Sequence, residues 1–570
     1  MEILDSRLKF FFYGITLSVL ILISGLYFFQ INQGDKYIRL AHSNRLRMIR
    51  FPAPRGEIFD RNGVPLAIND TTFNIMGYPL DLNTQEKLEH LSKILKRHGI
   101  PITVQDLEKT IKQQRMAPYR VMKIVPNLTM PQMAELVADY EFPHELFPLS
   151  VWRRTYPAGS IAANILGYVS EISEEELKTR LEDGYIGGDL IGKSGIERSY
   201  ETFLRGQPGQ EALEVDARGR KVRILDSTPA IKGEDIHLTL DMGAQKLAIE
   251  LLRGHKGALV AMDVKTGAIF AMASSPVYDN NPLTWGVSAR EWNSMMNNAD
   301  RPMLDRAIAG VYPPASTFKA FMSIAALEEN LITTSTMISC RGGLRLGSHL
   351  FKCWKHSGHG SLNVLGALQH SCDVFYYQVG LRVGIDRLIK WGRKFHLGEP
   401  TGIDIPGETG GNIAGPEWKM RRFKTAWVNG DTVNYSIGQG YMLMTPLQIA
   451  RVYAAIANGG KLVTPHLNQK GYKIPEEIGI TPSKLAIVQK GLDYVVSRGT
   501  GSRAGRFGVR VAGKTGTAQN SHGDDHALFA GYAPADDPKF VAVAVIEAGK
   551  HGSSVAAPIV GEMLAHLLSH

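Results

Sequence analysis

The stretch Val311-Tyr312-Pro313-Pro314-Ala315-Ser316-Thr317-Phe318-Lys319-Ala320-Phe321-Met322 decides how the rest of the chain is read. Pro313 and Pro314 precede an apolar run at helical period, Phe318, Phe321, Met322, Ala325 and Leu327, so the pattern predicts a helix starting near Ser316. Ser316 and Lys319 then share one face of its first turn. A serine hydroxyl becomes an effective nucleophile when a base removes its proton, and a neutral lysine amine is such a base. The partial positive charge of a helix N-terminus disfavours the ammonium form and favours an anion developing on Ser316. The same spacing recurs at Ser6-Arg-Leu-Lys9, beside an apolar segment, so position and not spacing has to select between the two.

Downstream lies Lys514-Thr515-Gly516-Thr517, preceded by Val509 and Val511 in strand-like alternation. A glycine within a strand lets another backbone approach, so a substrate peptide can add alongside 512–518 as an extra strand. A second copy, Lys265-Thr266-Gly267, separates two apolar runs and reads as a hairpin turn; it also precedes Ser316. Two triplets compete for the position between the serine and the downstream lysine. Ser361-Leu362-Asn363 reads as the cap of a helix over 363–370. Ser371-Cys372-Asp373 falls at a helix junction, where side chains can converge on Ser316, and is preferred.

With Ser316-x-x-Lys319, Ser371-Cys372-Asp373, Lys514-Thr515-Gly516-Thr517 and Tyr435-Ser-Ile-Gly-Gln-Gly440 in this order, the chain resembles the class B penicillin-binding proteins, in particular the branch that cross-links the wall during cell elongation. The likeness extends over nearly the whole chain. It implies a serine β-lactamase/transpeptidase-like α/β domain, an antiparallel sheet sandwiched by helices. A β-rich α+β pedestal and one N-terminal transmembrane helix would precede it. The boundaries implied are a tail at 1–9, an anchor at 10–30, a non-catalytic, dimerisation-like pedestal with a helical head at 31–228, and the penicillin-binding transpeptidase domain at 229–570.

The resemblance also implies the chemistry. Ser316 attacks the carbonyl between the two terminal D-alanines of a stem peptide, D-alanine leaves, and an amine of a neighbouring strand resolves the acyl-enzyme into a cross-link; water in its place would make the reaction a carboxypeptidase. Lys319 is the base. Lys319 and Lys514, converging with Ser371, each depress the other's amine pKa. The N–H groups of Ser316 and Thr517 form the oxyanion hole, while Lys514, Thr515 and Thr517, with Gly516 between them, hold the carboxylate of the substrate or of a β-lactam inhibitor. Asp373 departs from the usual asparagine, and a carboxylate cannot donate the hydrogen bonds of an amide. The partners implied are peptidoglycan stem peptides, a polytopic membrane glycosyltransferase and rod-shape scaffold proteins. A division-specific transpeptidase and a non-catalytic β-lactam receptor are the alternatives.

With 570 residues and 44% hydrophobic content, the chain can bury more than one core. Its net charge of +9 is dispersed, with no basic run interleaved with aromatics, which argues against nucleic acid. Phe10–Phe29 carries no charge and is long enough to span a bilayer, with no small-x-small cleavage signal after it. Arg7 and Lys9 precede this span, whereas Lys36, Arg39, Arg45, Arg47 and Arg50 follow it. Charge counting alone would put the bulk of the chain in the cytoplasm. Wall chemistry takes place outside, so the resemblance places 31–570 in the periplasm of a bacterial inner membrane. Gly187-Gly-Asp-Leu-Ile-Gly-Lys-Ser194 matches the nucleotide-loop pattern but follows a charged, helix-like segment instead of a buried strand, so no nucleotide is expected. In the pedestal, Asn62-Gly63 marks a tight turn, and 82–116 and 130–139 read as polar-faced helices.

All 3 cysteines fall in the window Cys340-x12-Cys353-x5-His359-x12-Cys372. One disulfide plus a free thiol is one reading; three thiolates and an imidazole closing around a structural zinc is the other. The resemblance favours zinc, since some members of the family carry it in this region. His359 is preferred over His356 because Gly358 and Gly360 let the chain turn sharply there. Zinc would stiffen the segment carrying Ser371 without entering the chemistry.

Overall fold

The computed structural model describes residues 2–34, 46–82, 84–113, 121–215, 221–520 and 523–570. The chain divides into two compact units: residues 1–55, 71–153 and 205–233 form one, and residues 56–70, 154–204 and 234–570 the other. This division by contact interleaves stretches that the linear sequence lays end to end. Met116, the last residue of the predicted 82–116 helical stretch, lies outside the described residues.

In the first unit the helix Glu2–Tyr27 runs on into a π-helical turn, Phe28–Asn32. Leu8–Asn32 is the one stretch among the described residues long and apolar enough to cross a membrane, and none of it is buried. Strands Leu46–Phe51, Gly209–Val215 and Lys221–Thr228 make a three-stranded antiparallel sheet. Helices Gln85–Arg97, Val104–Gln113 and Met130–Ala138 cover strand Met122–Leu128. They bury Leu88, Leu91, Leu95, Leu107 and Leu136 on one face and leave the polar face to solvent. Thr84 and Thr129 cap two of these helices by accepting from Lys87 and Gln132 N–H groups.

The second unit is built on a five-stranded sheet in the order Ile269–Ser275, Gly257–Asp263, Phe540–Ile546, His526–Ala533, Ala512–Ala518, with every neighbour antiparallel. Its strands alternate apolar residues on both faces, so both must be covered. Leu259, Ala261, Ala542 and Ala544 face helices Met242–Leu251 and Ala556–Ser569, which contribute Ala248, Val560 and Leu564. Ala258, Val260, Val541 and Val543 face the opposite way, into the larger core with helices Lys319–Glu328 and Pro446–Ala457. All residues of helix Pro446–Ala457 are buried, Gln448 and Arg451 included, so the polar residues of its sequence do not mark a solvent face.

Lys265-Thr266-Gly267 forms the turn between the first two strands in sequence, its N–H groups at 265 and 266 donating to Asp263 Oδ1 at 2.8 and 2.7 Å. The nucleotide-loop look-alike holds a three-residue strand, Leu190–Gly192, and is followed by a five-residue helix, Gly195–Ser199. Among the described residues, Ala512–Ala518 has a ladder partner on one side only. It starts three residues later than the valine alternation suggests, because Arg510 uses its carbonyl to accept from Ala535 N–H at 2.8 Å.

Candidate active site

Ser316 sits in a turn of 3-10 helix, Ala315–Phe318, and the α-helix begins only at Lys319 and runs to Glu328. The expected α-helical start at Ser316 is thus displaced, and the cause is local. Ala315 adopts φ +48, in the left-handed region, while its N–H donates to Gly438 O at 2.8 Å. Thr317 N–H reaches back to Pro314 O at 3.2 Å, closing the tighter turn. In a 3-10 turn, residues three apart eclipse one another, so the change brings Ser316 and Lys319 into line. A Cβ on Gly438 would lie 2.3 Å from Ala315 O, so glycine is what lets Tyr435–Gly440 back the nucleophile turn so closely.

Lys319 is wholly buried, and its Nζ donates to Asp373 Oδ1 at 2.6 Å, Ser371 O at 2.9 Å and Ser371 Oγ at 3.2 Å. The face of Tyr376 lies 5.6 Å from the same nitrogen, and Tyr376 OH bonds Ser323 Oγ at 2.7 Å one turn below. Ser371 owes its place to the end of helix Val364–Gln369. It adopts φ +52, its N–H donates to Leu368 O, and the Cys372 N–H donates to Ala367 O. This is a Schellman closure with serine in the left-handed position usually held by glycine. Helix Asp373–Val383 starts immediately, with Asp373 in its first turn, where the dipole favours a negative charge. Ser361 plays neither role proposed for it: it lies in strand Gly360–Leu362, and Asn363 caps the helix instead, accepting from Gly366 N–H at 3.1 Å.

Asp373 spends both oxygens as an acceptor, Oδ1 on Lys319 and Oδ2 on the Trp354 N–H at 3.0 Å. The Trp354 indole N–H is shared by His370 O at 3.1 Å and Ser371 O at 3.2 Å. Lys514 is buried on the strand at the sheet's open edge and donates to Thr515 O at 3.2 Å. Burial, and after it the nearby charge of Lys319, push its amine well below the ordinary lysine range, with Asp373 opposing. Thr515 Oγ1 shares a hydrogen bond with Thr500 Oγ1 at 3.0 Å, and Thr517 O accepts from Gln439 Nε2 at 3.3 Å. Gly516 runs alongside the nucleophile turn: a Cβ there would meet Thr317 Cγ2 at 3.2 Å and Pro314 O at 3.3 Å.

The site therefore unites Ser316, Lys319, Ser371 and Asp373 on one wall with Lys514, Thr515, Gly516 and Thr517 on the other. Trp354, Gln439 and Thr500 escape a reading of the sequence. None belongs to a recurring triplet, although Gln439 falls inside the quoted Tyr435–Gly440 run.

One side-chain layer behind Ser371, Cys340, Cys353, His359 and Cys372 place their donor atoms within 4.8 Å of one another. All three cysteines are buried free thiols, and His359 Nδ1 lies 3.6 Å from both Cys340 Sγ and Cys353 Sγ. The Cys372 thiol hydrogen-bonds Cys353 and pulls it down to about 5, while that bond and burial push Cys372 up. A thiolate packed among further thiols and an imidazole nitrogen is the donor set of a closed zinc site, so these residues fit that metal. Gly358 and Gly360 both take positive φ, turning His359 inward; His356 stays outside the cluster.

Comparison with known proteins agrees with this geometry. A family model described as the penicillin binding protein transpeptidase domain matches residues 257–565, and one described as the penicillin-binding protein dimerisation domain matches residues 50–238. The peptidoglycan D,D-transpeptidase MrdA of Haemophilus influenzae is 38% identical over 98% of this chain and 91% of its own length. That of Escherichia coli K12 is 35% identical, over 98% and 93%. Among solved structures, the complex between penicillin-binding protein PBP2 and MreC from Helicobacter pylori matches with a TM-score of 0.84 at 30% identity, covering 92% of this chain and 99% of that one. Two family matches in sequence order, and relatives alike along nearly their whole length, show that the chain belongs to the penicillin-binding proteins that join a dimerisation region to a transpeptidase domain.

Proposed function

We propose that the protein is a peptidoglycan D,D-transpeptidase that cross-links stem peptides through a serine acyl-enzyme and is inhibited by β-lactams. The observation that carries this reading is the buried Lys319 amine, hydrogen-bonded to Ser371 and Asp373 one eclipsed turn from Ser316. Lys319 takes the proton as Ser316 Oγ attacks the penultimate carbonyl. The backbone N–H groups of Ser316 and Thr517 receive the oxyanion, where the loss of one donor costs about 3 kcal/mol of transition-state stabilisation. The C–N bond breaks, and terminal D-alanine leaves as an amine carrying a proton delivered through the Lys319–Ser371 pair. The acceptor amine then attacks the ester carbon, and Ser316 Oγ departs with the amine's proton. Lys514, Thr515 and Thr517 hold the donor's terminal carboxylate. An incoming stem peptide pairs along the open edge of strand Ala512–Ala518, past Gly516. Water in place of the amine would give carboxypeptidase turnover.

Similarity to the MrdA transpeptidases supports wall synthesis during elongation over division. The solved complex of a relative with MreC supports a rod-shape scaffold protein as partner, and family resemblance supports a polymerising membrane glycosyltransferase. The helix over 8–32 serves as a single-pass anchor, with the short tail before it in the cytoplasm and the chain after it in the periplasm, and 229–570 is the transpeptidase domain. Cys340, Cys353, His359 and Cys372 hold a structural zinc, which fixes the turn carrying Ser371 and supplies no group to the reaction.

Labelling with fluorescent penicillin tests the assignment. Wild type is labelled covalently, and Ser316→Ala, with an unchanged circular dichroism spectrum, is not. Undiminished labelling of the folded variant would sink it. Protease treatment of spheroplasts tests the orientation, which predicts that residues beyond 50 are digested.

A further inference from the structure

The run Trp418-Lys419-Met420-Arg421-Arg422-Phe423-Lys424 is a local cluster of four cations with two aromatics, an exception to the otherwise dispersed charge, and it has no place in the chemistry above. It forms the helix Pro416–Phe423, ended by Lys424 in the left-handed conformation at φ +57. Lys419 turns inward and donates to Asp431 Oδ2 at 2.6 Å, whereas Met420 and Phe423 are 47% and 48% exposed. Arg421, Arg422 and Lys424 are exposed too, and their side chains make no hydrogen bond or ion pair among the described residues. Cations suit a helix C-terminus. Three unpaired ones flanking an exposed methionine and phenylalanine go beyond what the helix dipole needs, and like charges one turn apart repel.

The patch is tied to the reaction site through Tyr441. Its ring lies 5.3 Å from Trp418, 5.3 Å from Phe423 and 6.3 Å from Trp427. Trp427 packs edge-on to Tyr435, and Tyr435 packs on Phe318 in the nucleophile turn. Two residues before Tyr441, Gln439 donates to Thr517 O on the opposite wall. The basic surface is thus the outer end of an aromatic stack whose inner end is the Ser316 turn.

We propose that Arg421, Arg422, Phe423 and Lys424 form the subsite for the acceptor strand, the carboxylate-bearing stem peptide whose free amine resolves the acyl-enzyme. The assignment rests on the transpeptidase reading. The donor's single terminal carboxylate is already matched by Lys514, Thr515 and Thr517. A second acidic chain, delivered to the same serine, needs cations of its own. Guanidinium groups suit carboxylates, and the exposed Phe423 ring suits the apolar stem or a sugar face. An anionic lipid surface would also meet three cations and two apolar side chains, but continuity with Thr517 and the Ser316 turn favours the acceptor.

The test uses the full chain in detergent, comparing wild type with Arg421→Gln/Arg422→Gln/Lys424→Gln and with the charge-keeping Arg421→Lys/Arg422→Lys. Cross-linking is measured against acceptor concentration at saturating donor, alongside the ratio of hydrolysed to cross-linked donor. Removing the three charges raises the half-saturating acceptor concentration about tenfold, as three exposed charge pairs acting together would. It also shifts product toward hydrolysis, while the lysine variant stays near wild type. Penicillin acylation, which involves no acceptor, proceeds at its usual rate in both. Unchanged acceptor dependence overturns the proposal, as does a parallel fall in acylation. Loss of binding to phosphatidylglycerol vesicles with normal acceptor dependence reassigns the patch to lipid and overturns it as well. A wild-type protein that penicillin does not acylate refutes the transpeptidase reading itself.

Discussion

Lys319 Nζ and Asp373 Oδ1 stand 2.6 Å apart in the interior, and the second Asp373 oxygen is held by the Trp354 N–H. The acid standing where an amide is usual is therefore surrounded by donors on both sides. A side-chain amide has one acceptor oxygen and would have to turn its NH2 toward one of them.

Asp373→Asn should accordingly leave either Lys319 or the Trp354 N–H facing a donor. A buried donor left unsatisfied costs about 1–3 kcal/mol. The expected outcome is a lower melting temperature and an acylation rate reduced roughly 10- to 100-fold, since about 1.4 kcal/mol is one factor of ten. Stopped-flow penicillin acylation with a thermal melt checks both; an unchanged rate would mean that the carboxylate only supports the fold.

Lys514 is a buried amine whose pKa lies well below its ordinary value, so the native state binds its proton less readily than the unfolded chain. Stability then suffers below the folded pKa and recovers as pH climbs toward the ordinary lysine value near 10.4. Lys514→Met should slow penicillin acylation by weakening carboxylate recognition while raising the melting temperature by a few degrees at neutral pH. That gain should shrink as the buffer approaches about pH 10. A gain independent of pH would contradict the burial argument.

Gly438→Ala places a methyl 2.3 Å from Ala315 O on a residue at φ +70. Overpacking costs about 1–3 kcal/mol and the left-handed backbone about 1 more. Since the Ala315 N–H bond to Gly438 shapes the turn holding Ser316, acylation should slow along with the loss of stability seen in urea titration. Full activity with reduced stability would uncouple the two.

Purification without chelator should give about one zinc per chain and three free thiols under denaturing conditions. Stripping the metal, or Cys372→Ser, should lower thermal stability and slow acylation, because Cys372 adjoins Ser371. Absence of zinc together with a single free thiol would mean that two of the cysteines are paired.

The candidate site was legible where it depends on residue type at fixed spacing. Ser316, Lys319, Lys514 and the choice of Ser371 over Ser361 follow from motif order and from an apolar run that marks a helix. The geometry around them was not. Nothing in the sequence distinguishes the 3-10 turn at Ser316 from an α-helical one, because the deciding contact, Ala315 to Gly438, joins residues far apart in the chain. Trp354 was invisible for a related reason: its main-chain N–H does the work of holding Asp373, and any residue but proline supplies one. Helix Pro446–Ala457 is buried along its whole length, Gln448 and Arg451 included, and two polar residues in the sequence give no sign of that central position.

Among the described residues, the strand Ala512–Ala518 ends its sheet, with one neighbour and an unpaired edge, yet six of its seven residues are buried. Exposed strand edges invite pairing between molecules and set proteins on the way to aggregation. Here the edge is recessed beside the turn carrying Ser316, with Gly516 in contact range of Thr317. Burial of this kind shields an open strand edge from the sheet-to-sheet pairing that begins aggregation.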